Sequence, residues 1–246
     1  MGIETQIILI LLVFFVAAFV RSAFGFGDAL IAMPLLAIFL DLKTVTPLVA
    51  LAATTTGTII LIQNRRHIRF GETWRLIVSS IAGIPIGLFL LKGSYENTLK
   101  AILAVIIIIF AAYNLYHPRL MSIRNEKYAF GFGLLAGILG DAYNTNGPPV
   151  VIYGAMRHWE PSGFRATLQS YFVPTSLFIL LGHALGGLWT SPVLHSYCLS
   201  LPVIFAAVIL GKLAACRMRN ESFQRSINIL LIGIGAVLLT QSIHGF

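Results

Sequence analysis

Charge is scarce in this sequence. Acidic residues number 9 and basic residues 17 among 246, and charged side chains of both signs make up only 11% of the chain. A soluble globular domain carries about a quarter, so the composition excludes an ordinary water-facing surface. Cysteine is equally sparse. Cys198 and Cys216 form no CxxC pair and no disulfide framework, and both fall in or near apolar segments, where they read as small packing residues. No GxxxxGK[ST] string occurs, so this chain does not hydrolyse ATP at a P-loop. The first six residues, MGIETQ, lack lysine and arginine, and no clear cleavage site follows the apolar run 7–20. That run therefore reads as a retained membrane segment and not as a signal peptide.

What fills the chain is hydrophobic: 57% of residues, with a mean hydropathy of +0.87. This predicts an all-α polytopic membrane protein. Apolar segments fall at about 4–20, 25–40, 43–62, 73–91, 98–116, 127–140, 147–156, 164–184, 193–213 and 223–243. A spanning helix takes about 20 residues, which six of these segments supply. Segments 127–140 and 147–156 are too short to cross singly, and a polar linker joins them. They predict a re-entrant hairpin or one discontinuous helix. Segments 4–20 and 25–40, joined by RSAFGFGD, have similar organisation but are long enough for each to span.

The net charge of +8 reflects topology and not nucleic-acid binding. Arg65, Arg66, Arg69 and Arg75 cluster around the 62–73 loop. Arg119, Arg124 and Lys127 cluster around 117–127, and Lys212, Arg217, Arg219 and Arg225 around 213–223, whereas 184–193 has no lysine or arginine. With the basic loops placed in the cytoplasm, the pair 127–156 starts and ends inside, in accord with Arg157 and Arg165. The pair 4–40 starts and ends outside, as do both chain termini. Lys43 and Lys92 are the exceptions. Each half, 1–120 and 121–246, then becomes a helix pair followed by three spans, in opposite orientation: an inverted repeat. Sliding the sequence by about 115 residues sets Gly25 on Gly140 and Pro34 on Pro149, and a slide of about 117 sets Gly57 on Pro174 as matching helix breakers.

One stretch departs from the apolar pattern. Residues 137–154 read GILGDAYNTNGPPVVIYG, with Asp141, Asn144, Thr145 and Asn146 ahead of two prolines. Polar groups and broken backbone at membrane depth are tolerated where they line a cavity or are buried in protein. Asn144, Thr145, Asn146 and Gly147 before Pro148 and Pro149 look like the start of a half-helix, with Asn or Thr as cap and proline in the first turn. Such a terminus offers free N–H groups and positive potential to an anion; the plainer reading is a tight turn. Asp28 and Asp141 follow glycines at the first break of each half. Each either caps a helix start or serves as a proton or cation site. Arg21 is a cytoplasmic flank residue if the first pair spans, and a deep partner for Asp28, Asp141 or an anion if the pair is re-entrant. Gln169, one turn beyond Arg165, is a lining candidate. His183 and His195 read as interfacial, and Trp74, Trp159 and Trp189 as an aromatic belt. The string Gly25-Phe26-Gly27-Asp28 matches the GxGD of intramembrane aspartyl proteases, with Asp141 as a second acid. That class, however, needs an earlier Tyr-Asp helix, which this order lacks.

These motifs carry a family resemblance. An early apolar segment leads into Gly25-Phe26-Gly27-Asp28 and Pro34, and the layout repeats in the second half as Asn146-Gly147-Pro148-Pro149-Val150-Val151-Ile152-Tyr153. Trp159-Glu160-Pro161 follows, and then the run from Phe164 to Gln169. Over essentially its full length the chain resembles the sulfite exporter TauE/SafE family of membrane permeases. Many members carry a richer glycine run where Asp28 and Ala29 stand. The resemblance implies a permease for small, often sulfur-containing anions, such as sulfite or organosulfonates, in the bacterial inner membrane.

The reading is thus a secondary transporter, with an anion channel as its rival. The expected substrate-binding residues are Arg21, Gly25, Gly27, Asn144, Thr145, Asn146, Gly147 and Gln169, and the expected coupling residues are Asp28 and Asp141. The expected partners are a small anion and the lipid bilayer, without nucleic acid, cofactor or metal; homo-oligomerisation is left open. Cysteines introduced at 184–192 should react with an impermeant thiol reagent from the periplasmic side only, and cytoplasmic labelling there overturns the topology.

Overall fold

The computed structural model describes residues 3–63, 70–93, 96–116, 122–123, 125–159, 161–215, 228–229, 231–237, 239–240 and 242. Arg65, Arg66, Arg69, Arg119, Arg124, Arg217, Arg219, Arg225 and Cys216 lie outside them, as does the side chain of Arg165. Regular structure among the described residues is all helical. The helices are α1 (Ile3–Phe24), α2 (Asp28–Ala37), α3 (Leu42–Gln63), α4 (Phe70–Lys92), α5 (Glu96–Tyr116), α6 (Tyr128–Tyr143), α7 (Gly147–Met156), α8 (Pro161–Leu185) and α9 (Ser191–Ala215). The described residues after 227 are helical too.

Five helices, α1, α3, α4, α8 and α9, are long and apolar enough to cross a membrane. The ten-residue helices α2 and α7 rise about 15 Å, half of a hydrocarbon core of about 30 Å. Segment 25–40 therefore does not span, contrary to its apparent length. Gly25 and Gly27 have φ of 91° and 102°, and the turn between them uses up the first residues of the segment. Asp41 ends it by capping α3, accepting from the Thr44 backbone N–H at 2.7 Å. α2 folds back on α1, and α7 folds back on α6.

The long helices pack through small residues. α4 and α6 meet where Gly83 of α4 abuts Leu134 and Ile138 and where Gly133 and Gly137 of α6 abut Ser79 and Ser80, and a Cβ on Gly137 would strike the Ser80 carbonyl. Ser80 also donates to the Gly133 carbonyl at 2.7 Å. Close backbone approach of this kind is how helices associate in lipid, where apolar burial between them yields little. Paired residues advance together along these two helices, Leu76 with Gly133 and Gly87 with Asp141, so the helices run the same way. α1 packs on α9 in the corresponding manner, with Gly211 against Phe19. At the centre α3 packs on α8 in opposite directions: Gly57 lies near Gln169, while Ala50 shares a buried cluster with Ile179.

The element boundaries repeat. Phe24 and Tyr143, Asp28 and Gly147, Ala37 and Met156, and Leu42 and Pro161 are each 119 residues apart. The slides of 115 and 117 thus miss the register of the boundaries. Gly57 is also no helix breaker, since it lies inside unbroken α3. Outward faces are apolar, for example Ile8 and Leu12 on α1, Phe89 on α4, and Phe205, Ile209 and Leu213 on α9. Cys198 is exposed on α9 and not packed as expected.

Gly137→Leu should lower the thermal midpoint of the detergent-solubilised protein, at a cost of about 1–3 kcal/mol for overpacking. Leu135→Ala, on the exposed side of the same helix, should leave the midpoint unchanged.

Candidate functional site

The two helix breaks meet. The first is the Gly25-Phe26-Gly27 turn, where both glycines take up left-handed backbone that other residues rarely adopt. Phe26 anchors it edge-on against Phe110 of α5. The second break is closed by Asn144 at φ 52°, a conformation Asn tolerates. Asn144 Nδ2 donates to the Thr46 carbonyl at 2.6 Å, tying the turn to α3. Between the breaks lies a narrow cleft. Arg21, Phe26, Gly27 and Asp28 line one side, Asn144, Thr145, Asn146 and Gly147 the other, and Ala53, Phe172 and Ser176 of α3 and α8 complete it.

The first turns of α2 and α7 both border this cleft. Their N-caps, Gly27 and Asn146, form no side-chain capping hydrogen bond, so Asn146 marks the helix start without capping it. The orphan N–H groups that every helix start leaves are therefore not taken by those side chains. Pro148 and Pro149 have no N–H to give, so α7 offers fewer backbone donors than α2. The amides of Asn144 and Asn146 add polar groups on that side.

Arg21 is 4% exposed. Its Nη1 donates to Asp28 Oδ2 at 2.7 Å and its Nη2 to Gln169 Oε1 at 3.2 Å. The guanidinium lies 5.5 Å from the centre of the Phe172 ring. Gln169 Nε2 in turn donates to the Gly25 carbonyl at 2.5 Å. A chain of bonds thus runs from Asp28 through Arg21 and Gln169 back to Gly25, fastening the first break to α8. α3 leaves room for it only because residue 57 is glycine: a Cβ there would lie 2.5 Å from Arg21 Nη2. Arg21 is therefore not a cytoplasmic flank residue, and Asp28 is not a cap but the first residue of α2, spent on Arg21. Arg21 Nε has no hydrogen-bond partner among the described residues.

Of the residues expected to bind substrate, Arg21, Gly27, Asn144, Thr145, Asn146 and Gly147 come together in the cleft. Gly25 and Gln169 do not line it but brace Arg21. Asp141 is elsewhere. It lies in the last turn of α6, so it caps no helix start, and it faces His183 of α8. His183 is fully buried, not interfacial, whereas His195 is exposed. Asp28 lines the cleft, whereas Asp141 is not among its lining residues and faces His183.

The model of the sulfite exporter TauE/SafE family matches residues 10–238. The chain belongs to that family. As a TauE/SafE member it is a multi-pass membrane transporter. It is 23% identical over 236 residues to a probable sulfite/organosulfonate exporter TauE of Cupriavidus necator, covering 92% of this chain and 91% of that protein. No solved structure matches it.

In this TauE/SafE protein the Arg21–Asp28 pair is nearly buried, and removing one partner strands the other charge. Arg21→Met should cost about 3–5 kcal/mol of stability. The double variant Arg21→Met/Asp28→Asn should recover a large part of that loss, as read from thermal unfolding in detergent.

Proposed function

We propose that this protein is a secondary transporter that moves a small sulfur-containing oxyanion, sulfite or an organosulfonate, across the bacterial inner membrane. The cleft between the two helix breaks is its substrate site. The observation that carries this reading is that the starts of α2 and α7 line one cleft together with Arg21. Helix starts carry partial positive charge and unpaired N–H groups, and half-helices aimed at an anion near the midplane are a recurring transporter device. Backbone N–H groups of Gly27 and its neighbours, Gly147 N–H, and the Asn144 and Asn146 amides would hold the substrate oxygens. Arg21, already engaged by Asp28 and Gln169, supplies positive charge that one carboxylate offsets.

The sulfur-containing substrate class follows the name of the Cupriavidus necator relative. Two inverted halves, 1–120 and 121–246, form the scaffold on this reading, with both termini periplasmic. The recurring 119-residue spacing and the opposite courses of α3 and α8 support that arrangement. Coupling to protons would be carried by an intramembrane acid, Asp28 or Asp141.

A thermal-shift screen with sulfite, thiosulfate, sulfonates and carboxylates should stabilise the wild type with at least one sulfur anion, and Asn146→Ala should lose that shift. A silent wild type, or an equally responsive variant, overturns the site. Trans-acceleration by unlabelled substrate in proteoliposomes is expected of a carrier, and its absence alongside passive anion flux would make the protein a channel.

A further inference from the structure

Asp141 and His183 form the one pair of buried titratable side chains, among the described residues, that the anion cleft does not use. Both are fully buried, with His183 Nε2 3.6 Å from Asp141 Oδ1 and 3.0 Å from the Asp141 carbonyl oxygen. Neither Asp141 carboxylate oxygen, nor His183 Nδ1, has a hydrogen-bond partner among the described residues. A purely structural polar pair is normally satisfied, whereas this one keeps three polar atoms open inside an apolar bundle. Small residues make the space. A Cβ on Gly182 would lie 3.1 Å from Asp141 Oδ1, and one on Gly87 would lie 2.8 Å from Asp141 Cβ.

The pair sits on the helix break itself. α6 stops at Tyr143, and its last carbonyls lose their helical partners. The Asn144 and Thr145 N–H groups turn back to Gly140 and Leu139 instead. The Asp141 carbonyl is then taken by His183 Nε2 and the Ala142 carbonyl by Thr46 Oγ1 at 3.2 Å. The next residues, Asn144, Thr145 and Asn146, line the cleft. His183 therefore holds the break by the same ring that faces the buried carboxylate.

We propose that Asp141 and His183 together form a proton-carrying site, separate from the anion cleft, whose loading state sets the position of the α6–α7 break. The inference rests on the transporter reading and assigns coupling to this pair and not to Asp28, which is spent on Arg21. With its proton on Asp141 the pair is neutral, a carboxylic acid beside an imidazole whose Nε2–H serves the Asp141 carbonyl. Loss of that proton leaves a bare carboxylate in apolar surroundings, which is costly. Only an O–H bond forms and breaks, and the proton passes to or from water on one side of the membrane at a time.

Among the described residues, the other charged groups on the neighbouring helices are engaged elsewhere or exposed. On α4, Arg75 is ion-paired with Glu126 and Lys92 is exposed at the helix end. At the start of α3, Asp41 caps the helix and Lys43 is exposed. Tyr171 of α8 is hydrogen-bonded to Ser80 at 2.7 Å, and Tyr153 of α7 packs on Phe132 and Trp159. On α6 itself, Tyr143 is buried beside Asn144 and Tyr128 is exposed at the far end. The side chains of Glu72 and Arg165 lie outside the described residues.

The test uses full-length Asp141→Asn and His183→Gln in proteoliposomes with labelled sulfite. Both variants should keep sulfite counterflow within about threefold of wild type and lose pH-gradient-driven accumulation by about tenfold or more. Accumulation that persists in both overturns the proposal. So does loss of counterflow in variants whose thermal unfolding is unchanged, because the pair would then belong to the anion site. A second readout does not depend on the substrate. The pH-difference infrared spectrum of the wild type should show the carbonyl band of a protonated carboxylic acid. That band should disappear in Asp141→Asn and move in Asp141→Glu and His183→Gln. A wild type without the band, or an unchanged Asp141→Asn spectrum, overturns the pair even where the variants do not reconstitute. A wild type that carries no sulfite or sulfonate but shows the band overturns the substrate reading alone.

Discussion

The site depends on one ion pair in a place where charge is expensive. Arg21 and Asp28 face each other across the first helix break at 2.7 Å, almost wholly out of contact with solvent. Such a pair contributes little net stability by itself, because desolvation consumes most of the attraction. What it gives is position. The pair joins the end of α1 to the start of α2, and Gln169 extends the link to α8 and back to the Gly25 carbonyl. Gly57 makes the space on α3. Four helices thereby agree on where the first turn stands, and the second turn can face it across a narrow cleft.

The second break is held by neutral groups. Broken helices inside a membrane must have their orphan carbonyls satisfied by protein, since no water reaches them from lipid. Here α3 and α8, which pack on each other at the centre, supply the partners. Thr46 serves the Ala142 carbonyl, and His183 serves that of Asp141. The same two helices complete the cleft wall with Ala53, Phe172 and Ser176. Architecture and site are thus fixed by the same contacts, which explains how a polar site persists in a bundle whose outer faces are almost entirely apolar.

Much of this was legible in the sequence. Scarce charge and long apolar runs implied a helical membrane protein. The polar interruption at 144–146, followed by two prolines, marked the second break, and Gly25 with Gly27 marked the first. Other features were hidden because they depend on contacts between distant residues. His183 is one histidine near the end of an apolar helix, and only the folding of α6 beside α8 shows that it meets a buried aspartate 42 residues away. The role of Gly57 is not legible there, because a glycine that admits an arginine and one that ends a helix look alike in a string of letters. Asp28 and Asp141 appeared equivalent because both follow glycine. In the structure one opens a helix beside a guanidinium, and the other closes a helix beside an imidazole.

The recurring 119-residue spacing sets unlike side chains at matching places in the two turns. On the two-half reading, Asp28 matches Gly147, Gly27 matches Asn146 and Gly25 matches Asn144. The element boundaries share a spacing, but the first turn carries the charges and the second the amides. A protein made of two first halves would crowd two Arg–Asp pairs into the cleft, and one made of two second halves would have neither. On that reading the two turns are not interchangeable, since one brings the ion pair and the other the amides.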